Sequence, residues 1–471
     1  MLMGLIVALL ACLPWLAGLS GGWVWDDHSQ LQYNVRLALD GIGGFWTQGE
    51  HRWSGVGRVS RYNPVGWTLL ALQGSLTTPA SPVVFRTVSL VVHGINAALI
   101  ALLLRRIVPG RASLVPAVLA ALLFAWHPAQ AEVVQWPSAQ FDAWALLFVL
   151  CGAGLILRGT RRGAVTGASL ACAAVLCKES FAPLALGLPL GLALIQGSGA
   201  VRWKEGAGAS LAGLLAVRGL RAVVGIGSPE AVGDGSLASV ALAFAELVRM
   251  TLAPAERSLM RPLPTSIGVA EGVTCVVLLG AVVVGLRGRA RIEGRLVVGG
   301  VALIGGGLAL GAVAGAAFEL LPDRYVYTGS PGLSALLFGS LLSAREQVRR
   351  VGALAAGVVL LLFGAADLSQ SARWQDDVAF FAWEVEVWPD APQTNFYLGH
   401  SLAESGLPTE AIPWLVRAVE AGPTLPQTWG RLAAVRLQSG DREGALRDVA
   451  QGLTHVPGDP GLLELRAQLV E

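Results

Sequence analysis

Apolar runs long enough to cross a lipid bilayer recur along most of this chain, and they restrict its fold more than any other feature. A helix needs about 20 apolar residues to span a hydrocarbon core of about 30 Å. With 54% hydrophobic and 14% charged residues and a mean hydropathy of +0.59, the 471-residue sequence is typical of a polytopic, all-α membrane protein. Eleven candidate transmembrane helices cover about residues 2–21, 82–104, 113–128, 141–157, 164–178, 181–196, 207–225, 271–286, 297–317, 330–343 and 351–366.

Clusters of basic residues mark one side of these spans. They are Arg105-Arg106 with Arg111, Arg158 with Arg161-Arg162, Arg202 with Lys204, the run Arg287 to Arg295, and Arg345 with Arg349-Arg350. The positive-inside rule assigns such loops to the cytoplasm. High Ala, Gly and Arg usage with little Lys is typical of a GC-rich bacterium. We therefore expect a multi-pass protein of a bacterial inner membrane, with its other polar motifs on the periplasmic side. The net charge of +2 gives no indication of nucleic-acid binding.

Segment 236–252 differs from the other apolar stretches. Its apolar side chains recur at helical spacing and are opposed by Ser239, Glu246 and Arg249. Because the loops on both sides of it must share the outer face, we expect an interfacial helix that lies along the membrane. The weakest candidate span, 164–178, could be re-entrant.

The composition changes after the last span, which divides the chain into a transmembrane domain, 1–370, and a C-terminal domain, 371–471. Pro389, Pro423 and Pro457 recur every 34 residues, and so do Pro392, Pro426 and Pro460. This is the period of tetratricopeptide repeats, which are pairs of helices. Such arrays mostly bind protein or peptide segments on a concave surface. A structural cap or a dimer contact is the alternative.

Two adjacent carboxylates, Asp26 and Asp27, follow directly on the first span. A carboxylate at the edge of lipid is costly to desolvate, so it is typical of a site that binds a cation, a proton or a polar substrate. The pair could take a proton from an acceptor hydroxyl or hold a divalent metal ion. The alternative is the solvated start of a loop.

The outer loop 22–82 that contains this pair is rich in aromatic side chains, including Tyr62, and also holds Arg61. Stacked rings with a few polar groups suit sugar recognition, and an aromatic belt at the membrane interface is the alternative. Further polar residues fall at the same predicted depth, namely His127, Glu132, Asp142, Lys178, Glu179, Arg324 and Tyr325. The cations among them could stabilise an anionic leaving group. Each of these residues alone could be an interfacial anchor. His93 and Asn96, inside a span, are expected to bond to neighbouring helices.

The order of these motifs resembles one known family. The motifs are Trp25-Asp26-Asp27, Arg61-Tyr62-Asn63-Pro64, His93-Gly94-Ile95-Asn96, Phe124-Ala125-Trp126-His127-Pro128 with Glu132, Gln140-Phe141-Asp142, Lys178-Glu179 and Arg324-Tyr325, followed by the repeats. From about residue 23 to the C-terminus they resemble the transmembrane and tetratricopeptide repeat-containing O-mannosyltransferases and their bacterial relatives. These enzymes belong to the GT-C superfamily of polytopic glycosyltransferases.

The resemblance implies a sugar donor carried on a polyprenyl phosphate and catalysis on the extracytoplasmic face. Asp26 or Asp27 would then act as general base or orient the acceptor. Arg61, Lys178, Arg324 and Tyr325 would bind the donor phosphate or sugar, and Tyr62, His127, Glu132, Asp142 and Glu179 would support them. The need for a metal ion stays open. The chain departs from the family at Asn63 and Gln140, where relatives tend to have Arg, so two cations are lost.

The resulting hypothesis is an inverting transferase that moves a sugar to a hydroxyl, on protein Ser or Thr presented by the repeats. Transfer to a glycolipid or polysaccharide is an alternative. A non-catalytic transporter or scaffold for lipid-linked sugar is another, but transporters place ionisable groups near the bilayer midplane, whereas these carboxylates cluster at one interface.

Overall fold

The computed structural model describes residues 2–34, 37–48, 62–77, 81–197, 199–225 and 235–470, and these residues form helices without a β-strand. They fall into two compact units, Met1–Arg257 with Leu263–Ala372, and Ser258–Pro262 with Arg373–Glu471. The first unit contains α1 (Leu2–Cys12), α2 (Ile42–Thr47), α3 (Pro64–Gly74), α4 (Pro82–Ile107), α5 (Leu114–Ala125), α6 (Ala131–Gln135), α7 (Phe141–Ile156), α8 (Arg161–Val175), α9 (Ala182–Gln196), α10 (Trp203–Val224), α11 (Leu237–Leu252), α12 (Val269–Arg287), α13 (Ile292–Phe318), α14 (Ser330–Ser343) and α15 (Glu346–Gln370).

Eight helical segments of the described residues are long and apolar enough to cross a membrane, or nine if one bent pair is a single span. The protein is therefore a multi-pass membrane protein. The predicted count of eleven is not confirmed. The helices at 164–178 and 330–343, α8 and α14, have 15 and 14 residues, fewer than the roughly 20 that a full crossing needs. The apolar run at 113–128 bends by 53°, because His127 precedes a proline and takes an extended conformation.

Close helix packing in the first unit depends on small residues, as is usual in membranes. A Cβ atom at Gly152 of α7 would lie 2.5 Å from the carbonyl oxygen of Gly167 in α8, so the two backbones are in contact there. Polar side chains also pair between helices. Pro189 in α9 has no backbone N–H, so it cannot donate the helical hydrogen bond to the carbonyl of Ala185. The hydroxyl of Ser210 in α10 donates to that carbonyl instead, at 2.8 Å.

His93 and Asn96 bond to neighbouring helices, which confirms the prediction. One ring nitrogen of His93 lies 3.0 Å from the carbonyl oxygen of Ala125, and the other lies 3.1 Å from the hydroxyl of Tyr327. Asn96 donates to the carbonyl oxygen of Ala143 at 2.9 Å. These buried bonds join α4 to α5, to α7 and to the segment before α14.

Segment 236–252 is a helix, α11, and it is not among the candidate spans. Its polar residues, however, do not all face outward as the stripe predicts. Glu246 and Arg249 are buried, and Arg249 pairs with Glu246 at 2.6 Å and with Glu271 at 3.3 Å. The hydrogen bonds that Arg249 donates to Glu246 raise the pKa of Arg249. Two opposite charges at i and i+3 therefore let α11 bury its polar side within this unit.

The second unit contains α16 (Asp377–Val387), α17 (Pro392–Glu404), α18 (Pro408–Ala421), α19 (Pro426–Gln438), α20 (Arg442–His455) and α21 (Pro460–Val470). Its helices repeat with the predicted step, since α17, α19 and α21 begin at prolines 34 residues apart. The segment Ser258–Pro262 belongs to this unit. The buried carboxylate of Glu384 accepts hydrogen bonds from the hydroxyl of Ser258 at 2.7 Å and from the backbone nitrogen of Leu259 at 2.8 Å.

Candidate functional site

The segment His127–Asp142, which we call the central linker, connects α5 to α7 and organises the candidate site. Pro128 and Pro137 each begin a short 3-10 turn, and α6 lies between the two turns. Every residue of the central linker is buried. Because buried backbone and side-chain polar groups must be paired, this linker draws partners from several distant parts of the chain.

Asp27 is bound by the central linker and is fully buried. Its Oδ1 accepts hydrogen bonds from the backbone nitrogen of Ser138 at 2.9 Å and from the Ser138 hydroxyl at 2.5 Å. Its Oδ2 accepts from the backbone nitrogen of Val24 at 3.2 Å. Burial raises the pKa of Asp27 to about 7, although these bonds and the charge of Arg86 act in the opposite direction. Asp27 thus fixes the outer loop to the central linker.

Asp26, its neighbour, is only half-buried. Its Oδ2 accepts a hydrogen bond from the side chain of Gln30, four residues further on, at 3.0 Å. The two carboxylates of the doublet therefore have different surroundings. Asp27 is enclosed by donors, whereas Asp26 lies where a molecule from outside can reach it.

Trp25 holds this turn in an unusual conformation. Its φ of 52° lies in the left-handed region, which is rare for a bulky residue and is held only where surrounding contacts compensate the strain. The ring of Trp25 stacks on that of Trp136 with centroids 5.5 Å apart. The indole nitrogen of Trp136 also donates to the carbonyl oxygen of Val24 at 3.2 Å. The central linker therefore holds the strained turn from both sides.

Arg324 joins the same linker. The carboxylate of Glu132 accepts hydrogen bonds from Arg324 at 3.0 Å and from the backbone nitrogen of Asp323 at 2.7 Å. The guanidinium lies 5.2 Å from the ring centre of Trp136 and 5.7 Å from that of Tyr325. Trp136 thus contacts both Trp25 and Arg324. It therefore links the turn that contains the acidic doublet to the cation.

Lys178 is the second cation of the site, and it pairs with Asp142 at 3.8 Å. Asp142 lies four residues after Ser138, about one helical turn beyond the residue that binds Asp27. The side chains of Lys178 and Arg324 remain 16% and 14% exposed, while their carboxylate partners are almost fully buried. Both cations therefore remain partly accessible to an anion.

The remaining predicted residues have structural contacts. Tyr62 is buried and donates to the carbonyl oxygen of Trp46 at 2.8 Å. Glu179 accepts from the Asn63 side chain at 2.8 Å when that amide is turned to donate. His127 accepts at Nδ1 from the backbone of Ala129, so its Nε2 carries the proton and donates to a carbonyl oxygen 3.0 Å away. Arg61 lies outside the described residues.

Sequence reasoning missed Arg86, Trp136 and Ser138. Arg86 is buried in the first part of α4, and it donates to the carbonyl oxygens of Gly18 at 3.1 Å and Gly22 at 2.7 Å. It therefore holds the chain that leads into the doublet. An ionisable residue inside an apolar helix is a signal of this role. Ser138 had no such signal, since nothing in the sequence separates it from other serines.

The described residues contain no group of three or more His, Cys, Asp or Glu side chains arranged to hold a metal ion. No protein-family model matches the chain, and no curated protein matches it significantly. The interpretation of the site therefore depends on its own geometry and chemistry.

Proposed function

We propose that the protein is a membrane glycosyltransferase of the GT-C type, which transfers a sugar from a polyprenyl-phosphate-linked donor to a hydroxyl acceptor. One observation carries the proposal. Asp26, a half-buried carboxylate, directly follows Trp25, whose ring stacks on Trp136, and the half-buried cation Arg324 lies over the same Trp136 ring. A base, stacked rings and an anion-binding cation are the parts that sugar transfer from a lipid phosphate requires.

In the proposed reaction the acceptor hydroxyl attacks the anomeric carbon of the donor sugar. Asp26 takes the proton of that hydroxyl as the new carbon–oxygen bond forms. The bond between the anomeric carbon and the phosphate oxygen breaks, and the polyprenyl phosphate leaves with the electron pair. Arg324 and Lys178 bind the departing phosphate, with Arg61 as a further predicted partner. A single displacement of this kind inverts the configuration of the sugar.

Asp27 acts in this proposal by positioning its neighbour. Its oxygens already accept three hydrogen bonds from buried groups, so a substrate hydroxyl would have to displace Ser138 or Val24 to reach it. Glu132 and Asp142 play the corresponding part for the cations, because each keeps one of them in place.

The acceptor and the location belong to the same proposal. A helical array with a 34-residue step is typical of tetratricopeptide repeats, and their concave surfaces bind extended peptides. We assign the acceptor to Ser or Thr of an exported protein. We assign the site to the periplasmic face of a bacterial inner membrane, because the positive-inside rule assigns the basic loops to the cytoplasm.

The test is a transfer assay with the protein reconstituted in lipid vesicles and a panel of polyprenyl-phosphate-linked hexoses. Asp26→Asn should lower transfer by about 10²- to 10⁴-fold, the usual contribution of a general base. The matched control is Asp40→Asn, which removes an exposed carboxylate of the same outer loop and should leave transfer unchanged. Full activity of Asp26→Asn would remove the carboxylate from the mechanism.

Deletion of residues 372–471 identifies the acceptor class. Loss of transfer to a protein acceptor, with transfer to a small acceptor retained, supports the protein hypothesis. Unchanged transfer to a glycolipid or polysaccharide would favour that alternative. Absence of transfer from every donor in the panel, with tight donor binding, would favour a transporter or scaffold.

A further inference from the structure

A groove of about 800 Å³ opens between α9 and α13, near the end of α12, and has no part in the proposed reaction. Leucine, valine, alanine and glycine form most of its wall. A volume of this size lies within the range of pockets that hold small-molecule ligands. In a chain that crosses a membrane, an apolar groove of this kind suits a hydrocarbon chain.

Glycines create the space in this groove. A Cβ atom at Gly187, Gly191 or Gly306 would have no neighbouring atom within 4 Å, so each of these positions opens onto empty volume. The two helices do touch at one end of the groove, where a Cβ atom at Gly299 would lie 2.9 Å from Ile195. The groove is thus closed near the end of α9 and the beginning of α13, and open along the rest of its length.

Two arginines line the groove at that end, Arg289 after α12 and Arg295 in the first turn of α13. Arg295 is half-buried, and its buried Nε has no hydrogen-bond partner among the described residues. The described lining contains no acidic side chain. Positive charge therefore collects at one end of an apolar channel without a carboxylate on the wall to balance it.

We infer that this groove binds an anionic membrane phospholipid, with its phosphate at Arg289 and Arg295 and one acyl chain along α9 and α13. Guanidinium groups bind phosphate through paired hydrogen bonds, and basic pockets between transmembrane helices take up anionic head groups. Both arginines belong to a basic run that the charge pattern assigns to the cytoplasmic side. The site would therefore draw its lipid from the cytoplasmic leaflet, whose anionic lipids match this charge.

The test measures lipid binding by native mass spectrometry of the delipidated full-length protein, with phosphatidylglycerol and phosphatidylcholine of identical acyl chains. Phosphatidylglycerol should bind more tightly. The double variant Arg289→Ala with Arg295→Ala should weaken its binding by about thirtyfold, to the level of phosphatidylcholine. Arg111→Ala removes an exposed arginine of another basic loop and should change nothing.

A second variant tests the groove and does not depend on the arginines. Gly191→Leu puts a side chain into the empty volume and also favours the helix, so it should fold and should weaken the binding of both lipids. Gly280→Leu in α12, where a Cβ atom also meets nothing within 4 Å, is the matched control outside the groove.

Three results would overturn the inference. The first is equal affinity for the two phospholipids, and the second is unchanged phosphatidylglycerol binding in both the double variant and Gly191→Leu. The third is displacement of phosphatidylglycerol by polyprenyl phosphate in an Arg295-dependent manner, which would make the groove a site for that carrier. Since only binding is measured, the outcome is independent of whether the protein transfers a sugar.

Discussion

The contribution of Asp27 to the stability of the protein should fall as the pH rises from about 4 to about 7. Burial raises the pKa of Asp27 from 3.8 to about 7. Between these two values the folded protein binds a proton that the unfolded chain has released, so each step upward in pH favours unfolding. Above pH 7 both states are ionised at this position, and the contribution levels off.

The size of the effect follows from the two pKa values. Their difference is about three, and each pKa unit corresponds to 1.36 kcal/mol, so ionised Asp27 lowers the free energy of unfolding by about 4 kcal/mol. Asp27→Asn removes this dependence, because an amide does not titrate. The same variant adds an offset that does not vary with pH. Its NH₂ group must face one of the three donors around the carboxylate, at a cost of about 1–3 kcal/mol.

The assay is the free energy of unfolding of the wild type and Asp27→Asn in mixed micelles, titrated with a denaturing detergent at pH 4 to 8.5. We expect Asp27→Asn to be the less stable protein at pH 4 and to approach or exceed the wild type at pH 7. Asp40→Asn, at an exposed position, should follow the wild type throughout. A constant difference between wild type and Asp27→Asn would refute the reasoning. A wild type that gains stability relative to the variant as pH rises would show that Arg86 and the three donors outweigh burial.

Three further predictions concern other contacts. Glu132→Ala leaves Arg324 without its buried carboxylate and should cost about 3–5 kcal/mol, measured by the same unfolding titrations. Gly399→Ala should lower the melting temperature of the C-terminal unit, because its Cβ would lie 2.6 Å from a leucine side chain of α18. The control is Gly430→Ala in the next repeat, where a Cβ atom has room, and this variant should be neutral or stabilising. Glu384→Ala removes the acceptor of the buried hydrogen bonds from segment 258–262 and should speed amide hydrogen exchange in that segment. Unchanged exchange would show that Glu384 does not hold the segment.

The helices of the C-terminal unit are the part of the fold that the sequence predicts best. Pro392, Pro426 and Pro460 recur at the predicted 34-residue step, and each begins a helix. Proline suits the first helical turn, where its missing N–H is not needed, so the pattern and the local geometry agree. The transmembrane count is predicted less well, because hydropathy does not detect the bend at His127 and because the short apolar runs 164–178 and 330–343 are among the predicted spans.

The sequence predicted many residues of the candidate site, but it did not predict what each of them contacts. Glu132 and Arg324 are separated by 192 positions, and only their shared predicted side of the membrane suggested that they meet. The sequence could not separate Asp26 from Asp27, since neighbouring residues in an irregular turn have no periodicity to assign their faces. The structure separates them through the bonds that Val24 and Ser138 donate to Asp27, in a turn that includes the left-handed Trp25, and a left-handed tryptophan has no signature in sequence.

The arrangement around the doublet explains why two adjacent acids can have different uses. Asp27 has no exposed surface, and a hydroxyl could approach it only if Ser138 or Val24 gave up its bond. Opening such bonds would leave buried donors unpaired at about 1–3 kcal/mol each, so Asp27 is a poor proton acceptor for an external molecule. The bonds from Ser138 and Val24 also fix the backbone of the turn that contains Asp26. A buried neighbour that holds the turn, beside a carboxylate that stays half-buried, favours Asp26 over Asp27 as the base of the proposed reaction.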